Sequence, residues 1–489
     1  MSPTPQQRAV IIGSGLAGLS SAILLAEHGW AVTVLERHTT PGGLMQRYRR
    51  GDRWYDTGFH LMTGGAPGGI LRAMLHRLGV LDRLRFLEPE AQAQFVITRA
   101  NDAPLAIPLG LPASATAAAA RFPAQAAAIH RFFHLLQGRL AANPWLHMLV
   151  PGVSPVDHAP CTVSAALAHC GVTDEAAHLL GMASVILAMR PEACPFDFYA
   201  AFAGSAFAGG CRIAEGGDGI IRPLVERLAH FGGTLVTGCG AERLIHDGVR
   251  VTAVVDVQGA AHPADLVLAT CHPDETVRLA GEHGFRPSFH ARLAEVPESR
   301  GAVLFGAELT ESARALGRSH HCFSMDDGSE CYAVAPDQWE PGSLPMLEAV
   351  VWVETEELAA WRDSRLGHRP EAYQTWKEAQ RRRVLAALAK RFPGLDATVR
   401  RTWMSSPLTF RDYTSSRSGG AMGLSHNLEH LGSQPLMPRN RLRNLLLGGQ
   451  SVSHPGILGT MVGAFVMTGA VLGRDLRAEV ESLLGRDQA

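Results

Sequence analysis

Lysine is almost missing from this chain. Of 45 basic residues, only Lys377 and Lys390 are lysines; the rest are arginines spread along its length. The formal net charge is −1 and no basic cluster stands out, so no nucleic-acid partner is expected. The eight cysteines make no C-x-x-C pair and no His-paired zinc spacing. That excludes a disulfide scaffold and fits reduced thiols in a cytoplasmic protein. His320-His321-Cys322 is the one tempting metal cluster, but adjacent residues point different ways, and no metal is expected.

Long apolar runs are also short in supply. Ala9–Ala26 and Gly456–Gly473 each hold 18 residues without a charge, the low end of a membrane span, and both are laced with glycines. The first lacks a basic n-region and runs into Glu27, His28 and Glu36, unlike a signal peptide. Both read as helices buried against a cofactor. No G-x-S-x-G, H-E-x-x-H or Walker sequence occurs, so the hard chemistry falls to a bound cofactor. What is present, 489 residues at 46% hydrophobic and 19% charged, suits a soluble globular protein of two or three structural units.

The N-terminal RAVIIGSGLAGLSSAILLAEHGWAVTVLER has the order strand, glycine fingerprint, helix, strand, acid. Gly13 permits a tight turn, Gly15 lets the backbone approach a pyrophosphate, and Gly18 lets helix pack on strand. The helix N-terminus at Leu16 and Ala17 offers free N–H groups and a positive dipole end to phosphates. Glu36, 18 residues beyond Gly18, is placed to accept hydrogen bonds from a ribose diol. Next, Gln46–Tyr55 reads as a hairpin about Gly51-Asp52, delivering Asp56-Thr57-Gly58 and the loop YDTGFHLMTGG.

The sequence ERHTTPGGL, with Gly42-Gly43 just after the acid, resembles the flavoprotein superfamily of amine oxidases and phytoene desaturases. Two further segments carry the resemblance: AEGGDGIIRPLVERLAHFGGTLVTGCGAERLI, and NLLLGGQSVSHPGILGTMVGAFVMTGAVLG. Together they identify a phytoene desaturase-like flavoprotein, and DTGFH with GGQS is nearer to retinol saturases than to desaturases with Asp-x-Gly-Pro. The resemblance implies FAD, held along Arg37, Gly42, Gly43, Leu44, Gly58, Phe59, His60, Ala241, Gly449, Gln450, Gly456, Ile457, Leu458 and Gly459. It implies an α/β fold: a Rossmann-type FAD-binding domain (1–75, 206–275, 436–489) with a discontinuous α+β substrate domain (76–205, 276–435).

Within the second unit, Ile70–Ala208 shows helical periodicity, while AVLFGAELT, CYAVAP and MLEAVVWVE read as strands before a helix over 371–392. PFDFYAAFAGSAFAGG lines a tunnel for a greasy substrate or is plain core. The expected reaction is hydride transfer between flavin N5 and a hydrophobic conjugated polyene or isoprenoid, with NAD(P)H a candidate external reductant. A proton donor or acceptor is then needed, and the candidates are His60, Tyr413 and His454. Flavin-dependent polyene cyclisation or isomerisation, amine oxidation and a non-catalytic flavin scaffold stay open. The expected partner is a hydrophobic small molecule. The stripe Arg381–Arg383, Lys390 and Arg391 is a solvated helix face or a peripheral membrane contact.

Overall fold

The computed structural model describes residues 6–58, 60–99, 102–142, 145, 161–428 and 441–484. Its first strand, Arg8–Ile12, is buried from Ala9 onward and pairs in parallel on both sides, with Ala31–Leu35 and with Leu266–Ala269. Such a strand is covered on both faces, which is why its sequence is apolar without alternation. The whole sheet runs Leu445–Leu447, Leu266–Ala269, Arg8–Ile12, Ala31–Leu35, Thr234–Val236, all parallel. Strand order reverses between Arg8–Ile12 and Leu266–Ala269. The loops leaving those two strands therefore diverge and open a crevice, the usual ligand position of open α/β sheets.

The first charge-free stretch divides into that strand and the helix Leu16–Glu27, whose residues are buried from Leu16 to Ala26. It is apolar on every side because it packs against two helices, Asp218–His230 and Gly456–Leu472, as well as the sheet. The second stretch is that 17-residue helix, Gly456–Leu472. Among the described residues no helix is long and apolar enough to cross a membrane.

The hairpin forms as read, Arg47–Arg50 against Arg53–Asp56. A three-stranded antiparallel sheet, Ala241–His246, Val251–Asp256 and Ala261–Pro263, precedes Leu266–Ala269.

A seven-stranded mixed sheet builds the rest, in the order Val399–Ser405, Gly301–Leu309, Met346–Val353, Glu330–Val334, His320–Ser324, Phe95–Thr98, Leu105–Ile107. The last two strands lie within the stretch whose helical periodicity concealed them. They reach this sheet only through the parallel pairing of Phe95–Thr98 with His320–Ser324, a contact between residues far apart in the chain. The helix Glu371–Arg391 covers one face, where Leu347, Ala349, Val351 and Val353 meet Val384 and Leu388. Strand alternation sends Glu348, Val350 and Trp352 to the other face.

His320 and His321 divide likewise. His320 Nδ1 bonds the Tyr332 hydroxyl at 2.6 Å, while His321 Nε2 bonds the Leu316 carbonyl at 2.9 Å. Most of Pro195–Gly210 is core: Phe196 and Tyr199 pack with Phe132, and Phe207 with Phe95. Only Phe202 of this segment's aromatic side chains also borders the cavity described next.

Candidate active site

A cavity of about 510 Å³ opens at the C-terminal ends of the parallel strands. Gly13, Gly15, Leu16 and Ala17 line it from the fingerprint, and Glu36 and Arg37 from the end of the second strand. Gly42, Gly43 and Leu44 follow, then Gly58 and His60 from the hairpin exit, and Ala241. Gly449, Gln450, Gly456 and Ile457 close the circuit, so three segments far apart in sequence meet around one space. Two helix N-termini, at Leu16 and at Gly456, open onto it with their unpaired N–H groups and positive dipole ends.

Gly18, His454, Leu458 and Gly459 do not line this cavity. A Cβ on Gly18 would stand 2.0 Å from the Gly13 carbonyl oxygen, so its role is helix-to-loop packing. Gly459 similarly makes room for His454, which is buried against Phe198 at a ring distance of 4.6 Å. Leu458 joins the main core. Phe59 lies outside the described residues.

Does this space fit a dinucleotide? Gly15 answers most directly. It borders the cavity, yet an added Cβ would find no heavy atom within 4 Å. No protein packing demands glycine there, so the clearance suits the close approach of a pyrophosphate. Glu36 is buried at the strand end, where one oxygen accepts from the Ser14 N–H (2.8 Å) and hydroxyl (2.7 Å), and the other from the His38 N–H (2.9 Å). That carboxylate is held rigidly at the end of the second strand, a position suited to a ribose diol.

Tyr413 is at this same end. Its ring stacks on His38 at 5.1 Å, and its carbonyl accepts from Arg37, whose guanidinium also reaches Ser415 Oγ at 2.5 Å. Tyr413 lines the cavity, and the last turn of Pro407–Thr414 exposes carbonyls that Arg37 satisfies, which anchors the tyrosine beside His38.

The opposite part of the cavity is apolar. Two cross-strand rows of the seven-stranded sheet supply it, Tyr332–Val350–Leu304 and Trp352–Ala302. Val185, Ile186, Leu187 and Phe202 face it from the helical insertion, with Ile457 from the C-terminal helix.

His60 lines the cavity as Tyr332 does, and it is heavily constrained. Its Nδ1 lies 3.2 Å from Glu348 Oε2. Its carbonyl accepts from Arg212 Nη1 at 2.7 Å and from the Tyr332 hydroxyl at 3.0 Å. Arg212 also pairs with Asp56 at 3.1 Å, and the Asp56 N–H donates to Glu348 Oε1 at 2.8 Å. Burial and the nearby Glu348 carboxylate push Asp56 up to about 6. Burial also works to raise Glu348, but hydrogen bonds from His60 and the Asp56 N–H, with the nearby charge of Arg212, outweigh it and hold it below its ordinary range. The sequence reading missed Glu348, Arg212, Asp56 and Tyr332 as site residues. One signal existed: MLEAVVWVE puts a glutamate where strand alternation calls for an apolar cavity-facing residue.

The segment Ser416–Gly423 borders the cavity and hangs from another buried acid. Glu298 accepts from the N–H groups of Arg417 (2.5 Å), Ser418 (2.8 Å) and Gly420 (3.2 Å), and from the Ser418 hydroxyl (2.6 Å). Burial opposes ionisation, but His272, the Ser418 groups and the Arg417 N–H prevail and lower Glu298 to about 2. A carboxylate lowered on folding stabilises the protein above its unfolded value and loses that contribution as pH falls towards 2. Glu298→Gln is expected to lower stability by about 2–3 kcal/mol at pH 7, the cost of losing charged acceptors. It should also flatten the acid side of the stability curve, which urea unfolding between pH 7 and pH 3 measures.

Comparison with known proteins agrees with the geometry. Residues 11–78 match the model of an NAD(P)-binding Rossmann-like domain. The chain is 22% identical to all-trans-retinol 13,14-reductase of Rattus norvegicus, covering 97% of this chain and 87% of that protein. It is 26% identical to phytoene dehydrogenase of Streptomyces griseus, covering 93% and 92%. Among solved structures, an oxidoreductase from Methanosarcina mazei superposes with a TM-score of 0.67 at 16% identity, covering 96% of this chain and all (100%) of that one. Wild-type putrescine oxidase superposes with a TM-score of 0.66, also at 16% identity, over 96% and 100% of the two chains; these likenesses speak for the fold. The chain is therefore an oxidoreductase similar over nearly its whole length to retinol reductases and phytoene dehydrogenases, and its N-terminal part is a Rossmann-like nucleotide-binding unit.

Proposed function

We propose that this protein is an FAD-dependent enzyme that adds or removes hydrogen across C=C bonds of a hydrophobic conjugated polyene or isoprenoid. The observation that carries the reading is a single cavity lined at one end by a nucleotide cradle and at the other by an apolar floor, with His60 among its lining residues. The relatives named for retinol and phytoene support the same substrate class.

FAD would be held by the Gly13–Ala17 turn, Glu36, Gly42-Gly43, Ala241, Gly449-Gln450 and the N-terminus of Gly456–Leu472. When bound, a flavin supplies hydride transfer at N5. The chain's own residues do the rest. The rows Tyr332–Val350–Leu304 and Trp352–Ala302 exclude water and orient a flat chain, and His60 handles the proton. Membrane contact through the basic stripe is a weaker element of the reading: Arg381, Arg382, Arg383 and Lys390 are each engaged by Glu378, Asp327 or Asp326.

The test is anaerobic. The purified yellow protein is reduced by light or dithionite, or by NADH and NADPH separately, and mixed with all-trans-retinol, β-carotene and phytoene. Flavin reoxidation with a product two mass units heavier supports saturation; the oxidised enzyme yielding a product two units lighter supports desaturation. An unchanged product mass would replace this reading by isomerisation or neutral cyclisation. Amine-driven reduction with no polyene response would overturn it.

A further inference from the structure

Glu348 is a charged residue on the cavity face of an otherwise apolar strand. Its neighbours on that face, Val350 and Trp352, line the substrate end of the cavity. A carboxylate there carries a desolvation cost that an apolar residue would avoid. Its contacts show what offsets that cost: Oε1 accepts from the Asp56 backbone N–H, and Oε2 faces His60 Nδ1 at 3.2 Å, with Arg212 Nη2 at 3.8 Å. An ionised carboxylate can only accept, so Nδ1 must be the donor. The backbone carbonyl of His60 is clamped separately by Arg212 and Tyr332. Nε2 is buried and has no hydrogen-bond partner among the described residues.

We propose that Glu348 is the positioning residue of a Glu348–His60 dyad, fixing the Nδ1–H form of the imidazole so that Nε2 is the atom that exchanges a proton with the substrate. The inference rests on the oxidoreductase reading above. In the saturating direction one alkene carbon takes a hydride from the reduced cofactor and its neighbour takes the proton from Nε2 of the His60 imidazolium. Two hydrogens are added across the double bond, and the neutral imidazole keeps its Nδ1–H on Glu348. In the desaturating direction Nε2 accepts the proton and Glu348 stabilises the imidazolium that results. The reductant or acceptor that resets the cofactor is a nicotinamide nucleotide or another two-electron carrier. Arg212 and Asp56 face the dyad from behind, with Tyr332 alongside and His320 beyond it. Arg212 lies 3.1 Å from Asp56 and 3.8 Å from Glu348, and Arg47 also pairs with Asp56 at 3.8 Å; the Glu348 carboxylate is the charged group in contact with the imidazole, at 3.2 Å.

Two measurements test this. Histidine-specific 15N labelling of the flavin-loaded protein, with the His60 signals assigned by their loss in His60→Gln, should show a single Nδ1–H tautomer at pH 8. An Nε2–H tautomer, or an even mixture, would overturn the proposal without any reference to substrate. Glu348→Gln should mix the tautomers and slow polyene-driven flavin reoxidation by about tenfold. In a His60→Gln background the same change should have no further effect on the rate, because Glu348 acts through His60. An additive loss in the double variant would make Glu348 merely structural. Should Glu348→Gln fail to fold, the tautomer in the unmutated protein still decides. If no polyene reacts but the fixed tautomer is found, the substrate reading fails and the dyad stands.

Discussion

His60→Gln is expected to slow the polyene-coupled step by about 10²–10⁴-fold, the usual contribution of a positioned general acid or base, while leaving the flavin bound. Glutamine is close to histidine in size and can still donate to Glu348 Oε2, so the clamp of Arg212 and Tyr332 on the residue-60 carbonyl has no reason to loosen. What disappears is a side chain able to gain or lose a proton near neutral pH. Stopped-flow reoxidation of the reduced enzyme separates this step from substrate release. A rate within about threefold of the unmutated enzyme, far less than a lost general acid would cost, would remove His60 from the mechanism. His454 is buried against Phe198 and Tyr413 stacks on His38, so the same measurement on variants of each compares the three candidates.

Gly15→Val is expected to empty the protein of cofactor and leave it folded. Residue 15 has φ −64° and ψ 176°, an extended conformation that valine adopts readily. Its Cβ would meet no protein atom within 4 Å and would project into the cradle. Overfilling a close-packed contact costs about 1–3 kcal/mol, which is about 5- to 150-fold in affinity. The flavin absorbance retained through dialysis measures this, and far-ultraviolet circular dichroism checks the fold. Gly18→Val makes the contrast. There the Cβ strikes the Gly13 carbonyl, so folding and cofactor binding should fail together. If Gly15→Val kept its full flavin, the pyrophosphate would have to lie elsewhere.

Tyr413 and Glu348 mark opposite limits of reading this site from the chain. Tyr413 was named as a candidate within FRDYTSS. Its position follows from Arg37, which captures the end of its helix across hundreds of residues, and no local pattern encodes that capture. Glu348 was visible as an acid inside MLEAVVWVE, but its partner was not. The two residues of the dyad are 288 positions apart. The strands Phe95–Thr98 and Leu105–Ile107 were hidden for a related reason: being short, they take their strand character from the sheet they join.

By itself the sequence determined the nucleotide cradle. A strand, three spaced glycines, a helix and a terminal acid are local features: turn sterics, helix capping and strand alternation act over a few residues, and each leaves a mark in the residues that obey it. The tertiary structure alone decided which polar groups share the cavity with the apolar floor. Strand register sets Glu348 against Gly306 and sends it to the face that meets His60. Burial then makes their pairing matter, since a carboxylate out of water must find its donors wherever the fold brings them.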